Sequence, residues 1–229
     1  MTKLKRDGVF WTACLQGTIL NFFLGGFGPA QPLLRQEQGT SLTVAGLHGT
    51  MMGIAAMIAG IIHPTLVHKI GRPKTSWIGL LIFTTGVPVF VLGGSISFTL
   101  PAILYSCIGF NFVILNMIST LSSHYPETPD LAASQSNAIN AVGYVIGTVM
   151  VGTFAKVGIS WRLALLLVIP AAIALYFYGR DKIEDNRDLS APKQSGKLGV
   201  PFWVALVGFF ATISSEFATA FWAATLVTD

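Results

Sequence analysis

The sequence predicts an all-α membrane protein: a bundle of six transmembrane helices followed by a seventh, with a cytoplasmic amino terminus. Apolar residues make up 52% of the chain and charged residues only 10%, whereas soluble domains carry about 25% charged residues. The apolar residues also fall in runs of about 20, the length that a helix needs to cross a bilayer. Together these two observations exclude an ordinary soluble domain.

Seven runs are long enough to cross the membrane. The first follows Lys3, Lys5 and Arg6 but continues past the roughly 7–15 residues of a secretory signal, so it is predicted to be a retained helix. Polar residues interrupt the fourth and fifth runs, and only a short turn near Ser97 separates the third from the fourth. The predicted spans lie near 9–33, 43–66, 75–96, 99–123, 131–156, 161–179 and 200–227.

The distribution of Lys and Arg predicts the orientation. With a cytoplasmic amino terminus, eleven of the 14 basic residues fall on the cytoplasmic side and three outside. This excess is typical of cytoplasmic loops. The basic residues therefore mark a membrane side, and no nucleic-acid partner is expected.

Residues 180–199 differ from every other loop, since they hold five basic and four acidic residues. They are predicted to form a solvated cytoplasmic linker. The linker separates a six-helix unit, residues 1–179, from the helix in residues 200–229.

Two kinds of polar residue inside the spans are candidates for function. Glu216 is the only acidic residue within any predicted span, and a charge at bilayer depth costs about 2.5–3.5 kcal/mol on insertion scales, so it persists mainly where it has a role or a partner. The others are neutral: amides suit a polar solute, and a histidine can respond to protons. The candidate solute-binding or ion-coupling residues are Asn21, His48, Asn111, Asn116, Asn137, Asn140 and Glu216.

Glycine and proline add two expectations about the helices. Gly25, Gly26 and Gly28 with Pro29 and Pro32 are predicted to break or bend the outer half of the first span. Two pairs of glycines spaced by four, in the second and fifth spans, allow close helix packing. Packing within the six-helix unit and packing against another unit are equally compatible with these pairs, which are Gly49 with Gly53 and Gly143 with Gly147.

The turn between the second and third spans reads His68-Lys69-Ile70-Gly71-Arg72-Pro73-Lys74. It resembles the cytoplasmic loop signature of the major facilitator superfamily, Gly-x-x-x-Asp-Arg-x-Gly-Arg-x-Lys. Lys69, Gly71, Arg72 and Lys74 match that pattern, while Pro64 and His68 stand at its first Gly and its Asp. In that family the Asp helps to latch one conformation, so a latch built on His68 would depend on its protonation.

The resemblance implies a secondary active transporter that moves a small polar solute by alternating access in the plasma membrane. It implies that residues 1–179 form an amino-terminal half built as a 3+3 inverted repeat, with spans 1, 4 and 7 lining the cavity. Residues 200–229 would then begin a carboxy-terminal half that this chain leaves incomplete, the remainder lying on the same or a separate chain. A proton or sodium gradient is the expected driving force. No enzyme activity, cofactor or metal is expected.

Several alternatives stay open. A drug/proton antiporter is one, although Thr148 replaces the Pro of its signature and Tyr105 stands where an Arg is expected. A retinal-type seven-helix receptor would need a Lys in the last span, and none follows Lys197. A membrane enzyme lacks a His-Glu-x-x-His or Gly-x-Ser-x-Gly motif. A non-transporting assembly protein is the last alternative.

Overall fold

The structure, a computed structural model, describes residues 4–183 and 199–228. Within those residues the chain is all-helical, as predicted. The helices are α1 (Gly8–Gln38), α2 (Leu42–Ile70), α3 (Arg72–Leu92), α4 (Ile96–His124), α5 (Pro129–Lys156), α6 (Trp161–Leu166), α7 (Val168–Gly179) and α8 (Val200–Thr228).

Six helical segments of the described residues are long and apolar enough to cross a membrane: α1 to α5, and α6 with α7 counted together as Trp161–Gly179. They confirm the six predicted spans of the first unit. The predicted seventh span falls on α8, which packs beside α1, and its membrane crossing stays a prediction.

Short polar signals set the helix ends. Asp7 caps α1 by accepting hydrogen bonds from the backbone N–H groups of Val9 and Phe10, a favoured role for Asp at a helix start. Gly71 separates α2 from α3 with φ 86°, a backbone conformation that costs a side-chain-bearing residue more than Gly. Pro73 follows in the first turn of α3, where its missing N–H is harmless.

We call the end of the bundle that carries the start of α1, the α2–α3 turn and the α4–α5 loop the basic end, and the other the opposite end. The core lies between α1, α3, α4 and α6–α7. At its centre Phe23 packs edge-on against Phe83, with ring centroids 5.2 Å apart, and a smaller apolar cluster around Phe10 lies near the basic end. Cys14 and Cys107 are both buried free cysteines.

The predicted break in the Gly- and Pro-rich outer half of α1 is absent. The helix continues without interruption through Pro29 and Pro32. Its glycines serve close packing against α5. A Cβ added at Gly25 would lie 2.0 Å from the carbonyl oxygen of Tyr144. The Thr148 hydroxyl also donates to the carbonyl oxygen of Gly25 at 2.9 Å, so this contact is polar as well as close.

The two glycine pairs have different surroundings. A Cβ at Gly147 would lie 2.0 Å from the Phe22 carbonyl oxygen, and one at Gly143 would lie 2.6 Å from the Thr18 carbonyl oxygen. This pair therefore packs within the six-helix unit. In contrast, a Cβ at Gly53 meets nothing within 4 Å, so the exposed side of α2 has room at this position.

Candidate functional site

Asn21 and Asn111 lie near the midpoints of α1 and α4. Each side chain is partly exposed, and each amide nitrogen donates to the carbonyl oxygen four residues earlier: Asn21 to Gly17 at 2.9 Å and Asn111 to Cys107 at 2.7 Å. Neither amide bonds to another helix among the described residues. Each therefore keeps its side-chain oxygen available to a hydrogen-bond donor.

The two candidate amides of α5 have different environments. Asn137 is exposed. Asn140 is buried, where its oxygen accepts from the Thr18 hydroxyl at 3.4 Å and its nitrogen lies 3.7 Å from the sulfur of Met117. Asn140 thus joins α1, α4 and α5 inside the unit, while Asn137 contributes to the outer surface.

His48 is 1% exposed and holds α2 against α4 near the opposite end. Its Nδ1 lies 3.0 Å from the carbonyl oxygen of Ala45, and because a carbonyl only accepts, Nδ1 carries the hydrogen. Nε2 lies 2.9 Å from the Thr99 hydroxyl, whose oxygen accepts from Gln38 at 3.3 Å. The network fits a neutral ring that accepts at Nε2, with both ring nitrogens used.

Asn116, another candidate, is 2% exposed. Neither its nitrogen nor its oxygen has a hydrogen-bond partner among the described residues.

The backbone of Glu216 is part of α8 and lies two residues from the midpoint of that helix. Its side chain lies outside the described residues.

The loop motif is anchored to α4 by a single residue. Arg72 donates to the carbonyl oxygen of Ser119 at 3.2 Å and to the hydroxyl of Ser123 at 2.6 Å. The other charged or titratable members of the motif, His68, Lys69 and Lys74, are exposed. The turn thus combines a glycine with a positive φ, one tethered cation and an exposed basic surface.

Sequence reasoning missed a polar cluster at the basic end. His124 donates to Asp7 Oδ2 at 2.7 Å. The Tyr125 hydroxyl lies 2.8 Å from the Lys5 carbonyl oxygen and 3.2 Å from Asp7 Oδ1, so its one hydrogen is shared between them. Nearby, Arg6 donates to Gln135 at 2.9 Å. These contacts tie the starts of α1 and α5 to the end of α4.

Charge and burial act together on this cluster. Burial raises the pKa of the Asp7 carboxyl, but hydrogen bonds from His124 and from the Phe10 backbone, with the attraction of the imidazole, more than offset it. The Asp7 pKa therefore lies below its ordinary value. Burial and the neighbouring Asp7 carboxylate raise the pKa of Tyr125 to about 12, because both disfavour a phenolate.

A second cluster ties the opposite end. Arg162 donates to both carboxylate oxygens of Glu37, with Nη1 2.9 Å from Oε1, and its Nε donates to the Val91 carbonyl oxygen at 2.8 Å. The Trp161 indole N–H donates to Glu37 Oε1 at 3.1 Å. The ends of α1 and α3 are thereby joined to the start of α6.

Within residues 4–183 and 199–228, no group of three His, Cys, Asp or Glu side chains could hold a metal ion. The geometry instead offers partly exposed amides near the midpoints of their helices and a basic turn that is tethered to α4.

The family model of the Major Facilitator Superfamily matches residues 3–229 of the sequence. The chain belongs to this superfamily of membrane transporters, which confirms the resemblance seen in the sequence.

A solved structure supports the fold independently. A mutant of the peptide transporter POT, crystallised with sulfate, matches with a TM-score of 0.64 at 15% sequence identity. The match covers 93% of this chain and 46% of the transporter, so the chain spans about half of that protein. A comparison with curated proteins finds no match.

Proposed function

We propose that this chain forms half of a secondary transporter that moves a small polar solute by alternating access. The observation that carries the proposal is the position of three polar residues near the midpoints of their helices. Asn21, Asn111 and Glu216 each lie within two residues of the midpoint of a helix. At about 1.5 Å per residue, this is within about 3 Å of mid-depth in each helix.

The amides supply the solute-binding chemistry in this proposal. An amide oxygen accepts hydrogen bonds, and its nitrogen can leave a local carbonyl to donate to a solute. Among the residues that the structure describes, Asn21 and Asn111 bond only within their own helices, so binding a solute would not disrupt those contacts between helices. We assign them to solute binding, with Asn137 as a further contact, whereas the contacts of Asn140 and His48 favour packing roles.

Glu216 supplies the coupling in this proposal. A carboxyl at bilayer depth can bind a proton or a cation, and an ionised carboxylate there is costly unless it is paired. A proton or sodium gradient would drive transport through this group, in the plasma membrane. The other half of the carrier, whose first helix would be α8, completes the cavity.

Replacing Glu216 by Gln tests the coupling. In proteoliposomes that contain the whole transporter, Glu216→Gln should abolish gradient-driven accumulation of a radiolabelled solute while preserving solute exchange without a gradient. The amide keeps the shape of the side chain but loses the titratable group. Undiminished driven uptake would remove Glu216 from the mechanism.

Replacing Asn111 by Ala tests solute binding. The expected result is at least a tenfold loss of solute affinity, since a lost hydrogen bond in a desolvated site costs about 1.5 kcal/mol. Thr85→Ala is the matched control, because the exposed Thr85 hydroxyl also donates to a carbonyl four residues earlier, at 2.8 Å. Equal effects of the two substitutions would contradict a solute contact at Asn111.

A further inference from the structure

α2 packs along α4 with a histidine near each end of the contact. His48 is the one already described, with both ring nitrogens hydrogen-bonded. His63 lies four residues after the buried Ala59 and four before the buried Val67, so it occupies the helix face that packs inward. Its ring centroid lies 6.2 Å from that of Phe112 on α4.

The His63 end of the contact leaves polar atoms without partners. Nε2 of His63 and both polar atoms of Asn116 are enclosed and make no hydrogen bond with the described residues. The Asn116 amide is near enough to the imidazole to act on it as a hydrogen-bonding neighbour, but no atoms of the two side chains meet hydrogen-bond geometry. A buried polar group without a partner costs about 1–3 kcal/mol, so each such group in a native structure needs an explanation.

An amide is a suitable partner for an imidazole that gains and loses a proton. The Asn116 nitrogen can donate to Nε2 of the neutral ring, and after the amide turns over, its oxygen can accept from Nε2–H of the protonated ring. In the described part of the chain, Asn116 has no hydrogen-bond partner that would oppose this turn. Thr99 differs, because its hydroxyl oxygen already accepts from Gln38 while the hydroxyl faces His48.

Within the described ranges, Arg72 is the charged group that interacts electrostatically with the His63 ring. The α4 side chains that face the ring, Phe112 and Asn116, carry no charge. A proton on His63 would place a second positive charge near the Arg72 guanidinium, in a partly buried region where charges are poorly screened. The tether of Arg72 to Ser119 and Ser123 would then oppose the repulsion between the two cations.

We propose that His63 and Asn116 form a proton-binding site inside the six-helix unit, and that the bound proton releases Arg72 from α4. The site is separate from Glu216 and does not depend on the identity of the solute. Because coupling between two equilibria is reciprocal, release of Arg72 also favours proton uptake at His63. The basic turn thereby becomes sensitive to cytoplasmic pH.

A distance measurement between spin labels tests this proposal. Cysteines introduced at the exposed positions Lys74 and Glu127 place labels on the turn and beyond the end of α4. The two native cysteines are buried, so labelling is directed to the introduced pair. In detergent or nanodiscs, the full chain should give a single short distance between the labels at about pH 7.5. At about pH 5 a second, longer distance should appear, because histidine changes charge within this range.

Three variants identify the group responsible. His63→Gln should keep the short distance at both pH values, since Gln stays neutral. Arg72→Gln should give the longer distance at both, since the tether is lost. His68→Gln is the matched control in the same turn, and it should keep the pH response of the parent.

Survival of the response in His63→Gln, its loss in His68→Gln or a parent distance that ignores pH would each overturn the proposal. Should His63→Gln fail to fold, Asn116→Leu decides the question, because Leu has a similar volume and cannot accept from the protonated ring. The proposal requires that Asn116→Leu reduce the response, and an unchanged response in that variant rejects the site.

Discussion

The Asp7 carboxylate has two roles at the residue scale. One oxygen caps α1, and the other accepts from His124 at the end of α4. Backbone capping is a local property of the sequence, whereas the contact with His124 joins residues 117 positions apart. A substitution that keeps one role and removes the other can separate them.

Asp7→Asn is the substitution that does so. Asn caps helices about as well as Asp, but it loses the charge that attracts His124. Because the folded-state pKa of Asp7 is lowered, its stabilisation is present above the unfolded pKa of about 3.9 and is lost as pH falls through the folded value. The wild type should therefore exceed Asp7→Asn in stability at neutral pH, with the gap closing below about pH 4.

Thermal unfolding in detergent at a series of pH values measures that gap. Asp130→Asn is a useful control, because Asp130 is exposed in the first turn of α5 and makes no ion pair with the described residues. A constant gap across the acidic range would show that Asp7 acts through capping or packing alone.

Individual contacts of this kind could not be predicted from the sequence. The partner of His124 depends on how α1 and α4 pack. The same holds for Glu37, which lies beyond the first predicted span and meets Arg162 only after α1, α3 and α6 converge. By contrast, the basic turn could be predicted, because Gly71 and its neighbours are adjacent in the chain.

At the element scale, the number and order of the first six spans were predictable and the helix ends less so. The third span was predicted near 75–96, but α3 runs from Arg72 to Leu92. Pro73 fits the first turn of a helix, and Gly93 and Gly94 follow its end, so local chemistry overrides the apolar run. The sixth span is also divided at Leu167 into α6 and α7, which its continuous hydropathy did not indicate.

The contact between α1 and α5 gives an element-scale prediction. Gly147→Ala should destabilise the chain by about 1–3 kcal/mol, the usual cost of overpacking, since the added methyl group would meet the Phe22 carbonyl oxygen. Gly53→Ala, where the structure has open space, should leave stability unchanged or raise it slightly, because Ala is the better helix former. Unfolding in detergent measures both, and equal effects would contradict the close contact.

At the scale of the whole molecule, α2 and α5 are the least buried of the six spans. Met57 and Val145 near their centres are exposed, as is Leu81 on α3. Exposed apolar residues of a membrane protein can face lipid or another protein. Under the proposed function, α2 and α5 should meet the second half of the carrier and Leu81 should face lipid.

Nitroxides at Met57→Cys, Val145→Cys and Leu81→Cys separate these surfaces. In this chain alone, all three labels should collide freely with oxygen dissolved in the lipid. When the second half is present, the labels on α2 and α5 should lose most of that access, and the label on α3 should keep it. Unchanged access at all three positions would argue against the proposed arrangement of two halves.

The polar clusters at the two ends have a consequence for motion. The carboxylate of Glu37 bridges helices at one end, and that of Asp7 does so at the other, while Phe23 and Phe83 fill the middle. Shearing α1 past α4 or α6 would break several of these bonds at once. Any large change of shape that spares them must move the helices that they join as one rigid body, with its hinges placed outside those helices.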